Sequence, residues 1–156
     1  MAVEIEGDLL PRNARIAVIL SRFNDFITAH LLEGAVDVYK RHGGEEKNLT
    51  IIRVPGSFEI PVVAKRAAEG GKFEAVLCLG CVIRGATDHY DYVAVQAAQG
   101  IGKVAVETGV PVIFGVITAD TLDQAIERAG TKQGNHGAKA MLSAIEMANL
   151  FKKMGG

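Results

Sequence analysis

Four short apolar runs punctuate the chain: Ile16 to Leu20, Leu49 to Val54, Ala75 to Leu79 and Val110 to Ile117. Three of them are nearly continuous rather than alternating, which is how strands read when both faces of a parallel sheet are covered. Helical stretches lie between them. Thr28 to Arg41 stops at Gly43 and Gly44, and Phe58 to Glu69 stops at Gly70 and Gly71, where a helix end favours glycine. Asp91 to Thr108, Thr121 to Ala129 and Ala138 to Lys153 follow, and Thr121 with Gln124 has capping-box spacing. The alternation predicts an α/β fold, a three-layer αβα sandwich around a four-stranded parallel sheet with right-handed crossovers. Glu4 to Leu9 reads as an extra N-terminal edge strand or as an arm.

Two helices carry little charge for a surface. Tyr92 to Gly102 has no charged residue, and Ala140 to Phe151 has only Glu146. A helix that is apolar or small all round is normally buried. A single four-stranded domain has no room to bury both completely, so a subunit interface is expected.

At 156 residues the chain is one domain by size, residues 1–156. Seventeen Lys and Arg against eighteen Asp and Glu leave a net charge of −1. That balance argues against nucleic-acid binding, which needs a basic face. No apolar run approaches the ~20 residues of a membrane span. The start, Met1 to Asp8, is acidic and lacks the apolar core of a secretory signal, so the expected compartment is the cytoplasm. Two cysteines cannot build a disulfide scaffold.

Ligands of open α/β sheets bind outside the carboxyl ends of the strands. The segments expected there are Ser21 to Asn24, Val54 to Glu59, Leu79 to Tyr90 and Thr118 to Asp120. Gly80 to Thr87 reads Gly-x-x-x-x-Gly-Ala-Thr, with Ala86 where a nucleotide P-loop has lysine. What remains is a turn whose backbone N–H groups and Thr87 hydroxyl suit one phosphate, or a plain strand-to-helix turn. His89 closes that segment and is placed to move protons, as histidine titrates near neutrality. Phe23 is placed to stack on a planar heterocycle or to cap the core. Glu59 either accepts bonds from a polyol or favours a helix N-terminus.

Three patterns are set aside. Cys78 and Cys81 form a Cys-x-x-Cys, but Cys78 lies inside an expected strand and the odd spacing sends the side chains to opposite faces. No second cysteine pair completes a zinc site, and no metal is expected. Gly100-x-Gly102-x-x-Ala105 fits a dinucleotide fingerprint but lies mid-helix. His30 and His42 form no ligand pattern.

Six motifs, in order and spacing, resemble the lumazine synthase (6,7-dimethyl-8-ribityllumazine synthase) family. They are Arg22 to Asn24, Val54 to Glu59, Gly80 to Tyr92, Phe114 to Thr118, Gln124 to Lys132 and Ser143 to Asn149. The resemblance runs from about Arg15 to Lys152. It implies condensation of 5-amino-6-ribitylaminouracil with 3,4-dihydroxy-2-butanone 4-phosphate, the penultimate step of riboflavin biosynthesis, with release of phosphate and water and no cofactor. It also implies that Phe23 stacks on the pyrimidine, that Ser57, Phe58 and Glu59 hold the ribityl chain and ring edge, and that Cys81, Val82 and Ile83 meet the ring through backbone groups. Ala86 and Thr87 would bind the phosphate, His89 would transfer the proton, Phe114 would line the pocket and Arg128 would pair with the phosphate. Family members share sites between neighbours in a pentamer, and some build a sixty-subunit shell; riboflavin synthase is a partner the resemblance suggests.

One departure stands out. The family usually has lysine where this chain has His136, and an acidic residue is common where Lys139 stands. His136 would supply positive charge only when protonated, below about pH 6.5. Two other readings stay open: a flavodoxin-like phosphate or nucleotide binder, and a structural shell or carrier descended from the enzyme.

Overall fold

The computed structural model describes residues 1–155. Strand β1 (Ile16–Ser21) leads to helix α1 (Asp25–Arg41), β2 (Leu49–Val54) to α2 (Ile60–Glu69), and β3 (Ala75–Ile83) to α3 (His89–Thr108). Then come β4 (Val112–Ala119), α4 (Leu122–Glu127), a small hairpin of β5 (Ala129–Thr131) and β6 (Gly134–Asn135), and α5 (His136–Lys153). The main sheet has the order β2-β1-β3-β4, all parallel. The predicted three-layer α/β sandwich is the observed fold.

Alternation along the strands divides the core. Ile16, Val18 and Leu20 of β1 join α1, α4 and α5 on one face, with Leu31, Tyr39, Met141 and Ile145. Ala17 and Ile19 join α2 and α3 on the other, with Ile60, Ala64, Ile101 and Val104. Both central strands are buried on both faces, so their apolar runs are unbroken. β2 is an edge strand, and Thr50, Ile51 and Arg53 are exposed.

The residues before Leu9 form no strand; the arm reading holds. The arm lies along α5, where Asn149, almost fully buried, donates to the carbonyls of Asp8 (2.8 Å) and Leu10 (2.9 Å). The scarcity of charge in α5 is explained within the chain: Ala140, Met141, Ala144, Ile145 and Ala148 are all buried. That of α3 is not, because Tyr92, Val95 and Val106 remain exposed.

Several boundaries move. α1 begins at Asp25 instead of Thr28, after Asn24 in a left-handed conformation (φ 62°). β3 runs on to Ile83, so Gly80 is a strand residue and not part of a turn. The phosphate-turn reading of Gly80 therefore fails at its first glycine. β4 starts at Val112 and ends at Ala119, two residues later than expected. α5 starts at His136.

Candidate functional site

The strand order reverses direction between β1 and β3, and their carboxyl ends open the crevice where such sheets bind ligands. Three loops are stitched together there. Backbone N–H groups of Arg22 and Phe23 donate to the carbonyls of Val54 (2.8 Å) and Pro55 (3.0 Å). The Asn24 side chain donates to the Cys81 carbonyl at 2.9 Å. These bonds bring Phe23, Ser57 and the Cys81–Ile83 segment to one edge. Phe23 and Phe58 are exposed there, at 70% and 51%, without being used by the core.

Below them lies a polar floor. Ser21 and Ser57 are buried, and neither hydroxyl has a hydrogen-bond partner among the described residues. Gly80 sits between them; a Cβ there would stand 2.6 Å from Ser57 Oγ and 3.2 Å from Ser21 Oγ. Glycine at 80 thus keeps two hydroxyls at the base of the crevice.

The segment from Arg84 to Asp88 connects β3 to α3 and is exposed. Arg84 holds it. Its backbone N–H donates to the Ala119 carbonyl (2.9 Å), its Nε pairs with Asp120 (3.0 Å), its Nη1 lies 3.7 Å from Asp91, and its guanidinium stacks 4.4 Å over Tyr90. Each exposed pair is weak alone, but together they fix the loop between β3, β4 and α3. Thr87 Oγ1 accepts from the His89 backbone N–H at 3.4 Å. His89 is the first residue of α3, with an exposed side chain. Sequence reasoning missed Arg84 and Asn24; the signals were a lone cation between a strand and a helix, and an asparagine before a helix start.

The two cysteines are not a redox pair. Cys78 faces the α2/α3 core and Cys81 the α1/α5 core, as the odd spacing required. Burial pushes the Cys81 thiol up to about 12 and Cys78 higher still, so both stay protonated. Among the described residues no group of three His, Cys, Asp or Glu side chains could hold a metal.

The remaining candidate residues lie elsewhere in the chain. Phe114 is level with Cys78 in the sheet register, five residues before the end of β4. That places it roughly 17 Å down the strand from the Arg84 loop. Arg128 caps the end of α4, with its guanidinium donating to the Gln124 carbonyl at 3.0 Å. Thr121 accepts from the Gln124 N–H (3.2 Å) while the Gln124 side chain reaches back to the Asp120 N–H (2.8 Å). The expected capping box thus forms with a one-residue offset. His136 follows the hairpin, its backbone N–H donating to the Arg128 carbonyl at 2.9 Å. Burial, then the nearby Lys139 and Arg128, lower its pKa below the ordinary histidine value. It carries less charge near neutrality than the sequence reading allowed.

The structure thus brings the candidate residues together in two groups. One holds Phe23, Ser57, Phe58, Glu59, Cys81, Val82, Ile83, Ala86, Thr87 and His89. The other, along the free edge of β4, holds Phe114 and His136, with Arg128 beside it. A family model described as 6,7-dimethyl-8-ribityllumazine synthase matches residues 13–152. A 6,7-dimethyl-8-ribityllumazine synthase of Chlorobium luteolum is 56% identical over 151 residues, which cover 97% of this chain and 97% of that protein.

Proposed function

The chain belongs to the 6,7-dimethyl-8-ribityllumazine synthase family, a transferase of riboflavin biosynthesis, and from that premise we propose how its residues divide the reaction. Phe23 stacks on the pyrimidine of 5-amino-6-ribitylaminouracil. Ser57, Phe58 and Glu59 hold the ribityl chain and ring edge, and backbone groups of Cys81, Val82 and Ile83 meet the ring. Ala86 and Thr87 receive the phosphate of 3,4-dihydroxy-2-butanone 4-phosphate, helped by the fixed cation of Arg128. The substrate amine attacks the ketone to form an imine with loss of water. Phosphate then leaves, and the ring closes with loss of a second water. His89, at the rim of the crevice, carries protons between these steps.

The observation that carries this reading is the crevice at the β1/β3 carboxyl ends, with two unused aromatic rings above two buried hydroxyls. It suits a planar ring with a polyol tail. The separation of the two groups supports completion by a neighbouring copy, Phe114 and Arg128 reaching across. The exposed Tyr92, Val95 and Val106 on α3 and Val3 and Ile5 on the arm are apolar surface of the kind an interface covers. We assign the assembly as a pentamer, or a shell of twelve pentamers, working in the cytoplasm and handing its product to riboflavin synthase.

A turnover assay following lumazine absorbance tests the chemistry. Product that depends on both substrates is expected. No product from folded, assembled protein between pH 5.5 and 8.5 refutes the assignment and leaves a shell or carrier on this fold.

A further inference from the structure

The free edge of β4 borders a cleft of about 330 Å³ lined by Phe114, Val116, His136, Lys139, Ala140 and Ser143. Its charge is of one sign. His136 and Lys139 line the cleft together, and the His136 backbone N–H donates to the Arg128 carbonyl at 2.9 Å, which places Arg128 at its border. Among the described residues no carboxylate lies within 4.0 Å of Lys139 or Arg128. Every Asp or Glu that forms an ion pair does so with another cation.

Lys139 is also directed. Its ammonium donates to the Gln133 carbonyl at 3.3 Å, and its stem lies 3.7 Å from where a Gly134 Cβ would be. Both contacts hold it against the hairpin that leads from Arg128. It follows His136 by three positions on α5, so the two share a helix face. The N-terminal end of that helix adds partial positive charge to the same cleft. Two fixed cations without a counter-ion, beside a helix N-terminus, suit an anion.

From this cleft we infer that Lys139 binds the phosphate of the four-carbon ketone substrate alongside Arg128. The inference rests on the reading that Arg128 meets that phosphate. His136 stays neutral near pH 7, and the fixed second charge comes from one helical turn further along. Lys139 makes its contact from the same side of the shared site as Phe114.

The test is steady-state kinetics of the assembled protein with each substrate varied. Lys139→Gln is expected to raise KM for the phosphorylated ketone about tenfold, the loss of one charge-assisted bond, and KM for the aminouracil less than about twofold. Lys139→Arg keeps the wild-type values. Moving the charge back, His136→Lys combined with Lys139→Gln, restores the ketone KM. Equal changes in both KM values, no change in either, or no rescue in the double variant overturns the inference. Calorimetry with inorganic phosphate separates it from the proposed chemistry. If the wild type makes no product, weaker phosphate binding by Lys139→Gln still supports the Lys139 site, and unchanged binding removes it.

Discussion

Mixing two inactive variants decides whether the site is shared between copies. Phe23 follows β1, whereas Arg128 ends α4, which packs on β4 and β3. β3 separates β1 from β4, so the two residues start about 10 Å apart across the sheet. Arg128 also lies on the α1/α5 side, and its side chain folds back onto Gln124. On the proposed roles, Phe23→Ala removes the stacking surface, and Arg128→Ala removes a charge-assisted contact worth about 1.5–3 kcal/mol, or roughly 10- to 150-fold. Each variant alone should retain about a tenth of the activity or less. If every site takes its Phe23 from one copy and its Arg128 from the next, equal random mixing leaves both contributions intact in about one site in four. The mixture should recover about a quarter of wild-type turnover after dissociation and reassembly. Wild type mixed equally with a chain carrying both substitutions should also fall to about a quarter. A site built within one chain gives no recovery in the first mixture and about one half in the second. Those results, with subunit exchange verified by mass spectrometry, would refute the shared site.

Three further outcomes follow from the geometry. Gly80→Ala forces a Cβ to 2.6 Å from Ser57 Oγ and 3.2 Å from Ile60 Cδ1, so denaturant unfolding should show a loss of about 1–3 kcal/mol, with a higher KM for the aminouracil. Asn24→Ala loses the bond to the Cys81 carbonyl and places alanine at φ 62°; a loss of about 1–3 kcal/mol is expected, with turnover falling more than assembly. The Asp8 carboxyl is held well below its ordinary value, first by its bond from Arg12 and next by the Leu10 N–H. A depressed carboxylate stabilises the fold above its unfolded pKa and ceases to as pH falls through the folded one. Asp8→Asn should therefore weaken the docking of the arm at pH 7 but not at very low pH, read by hydrogen exchange around Asn149.

The sequence disclosed most of the architecture because both central strands are apolar on both faces and glycines mark the helix ends. It misled where one residue had a second reason to be there. Gly80 resembles the first glycine of a turn, yet it stays in β3 because Ser57 and Ser21 leave no room for a side chain. Pro111 displaced the start of β4: it has no N–H for the ladder, although its carbonyl accepts from Val76 at 2.8 Å. Phe114 is far from the Arg84 loop because it pairs with Cys78, six residues before Arg84. The β5/β6 hairpin has no alternating apolar residues and turns through Gly130 and Gly134 at positive φ, so no periodicity announced it. The residue types of the crevice were readable in order along the chain. The distance of Phe114 from the others was not, because it depends on strand register.

The seating of α5 on α1 bears on how such a chain can change length. Gly137 has no space for a Cβ because the Leu31 backbone lies against it, Gly34 is filled in the same way by the Asn135 side chain, and Asn135 donates to the His30 carbonyl at 2.9 Å. At its other end α1 follows Asn24, which is tied to Cys81. The stretch from Asn24 to Leu31 thus sets the spacing between the Phe23 loop and the cleft beside β4. One inserted residue there would turn everything beyond it by about 100° and pull the two ends of the site out of step. Insertions are far better accommodated beside Gly43 or Gly71, which have open space around them. Loops remote from the crevice can drift in length over evolution, or accept grafted segments, while α1 serves as a fixed ruler.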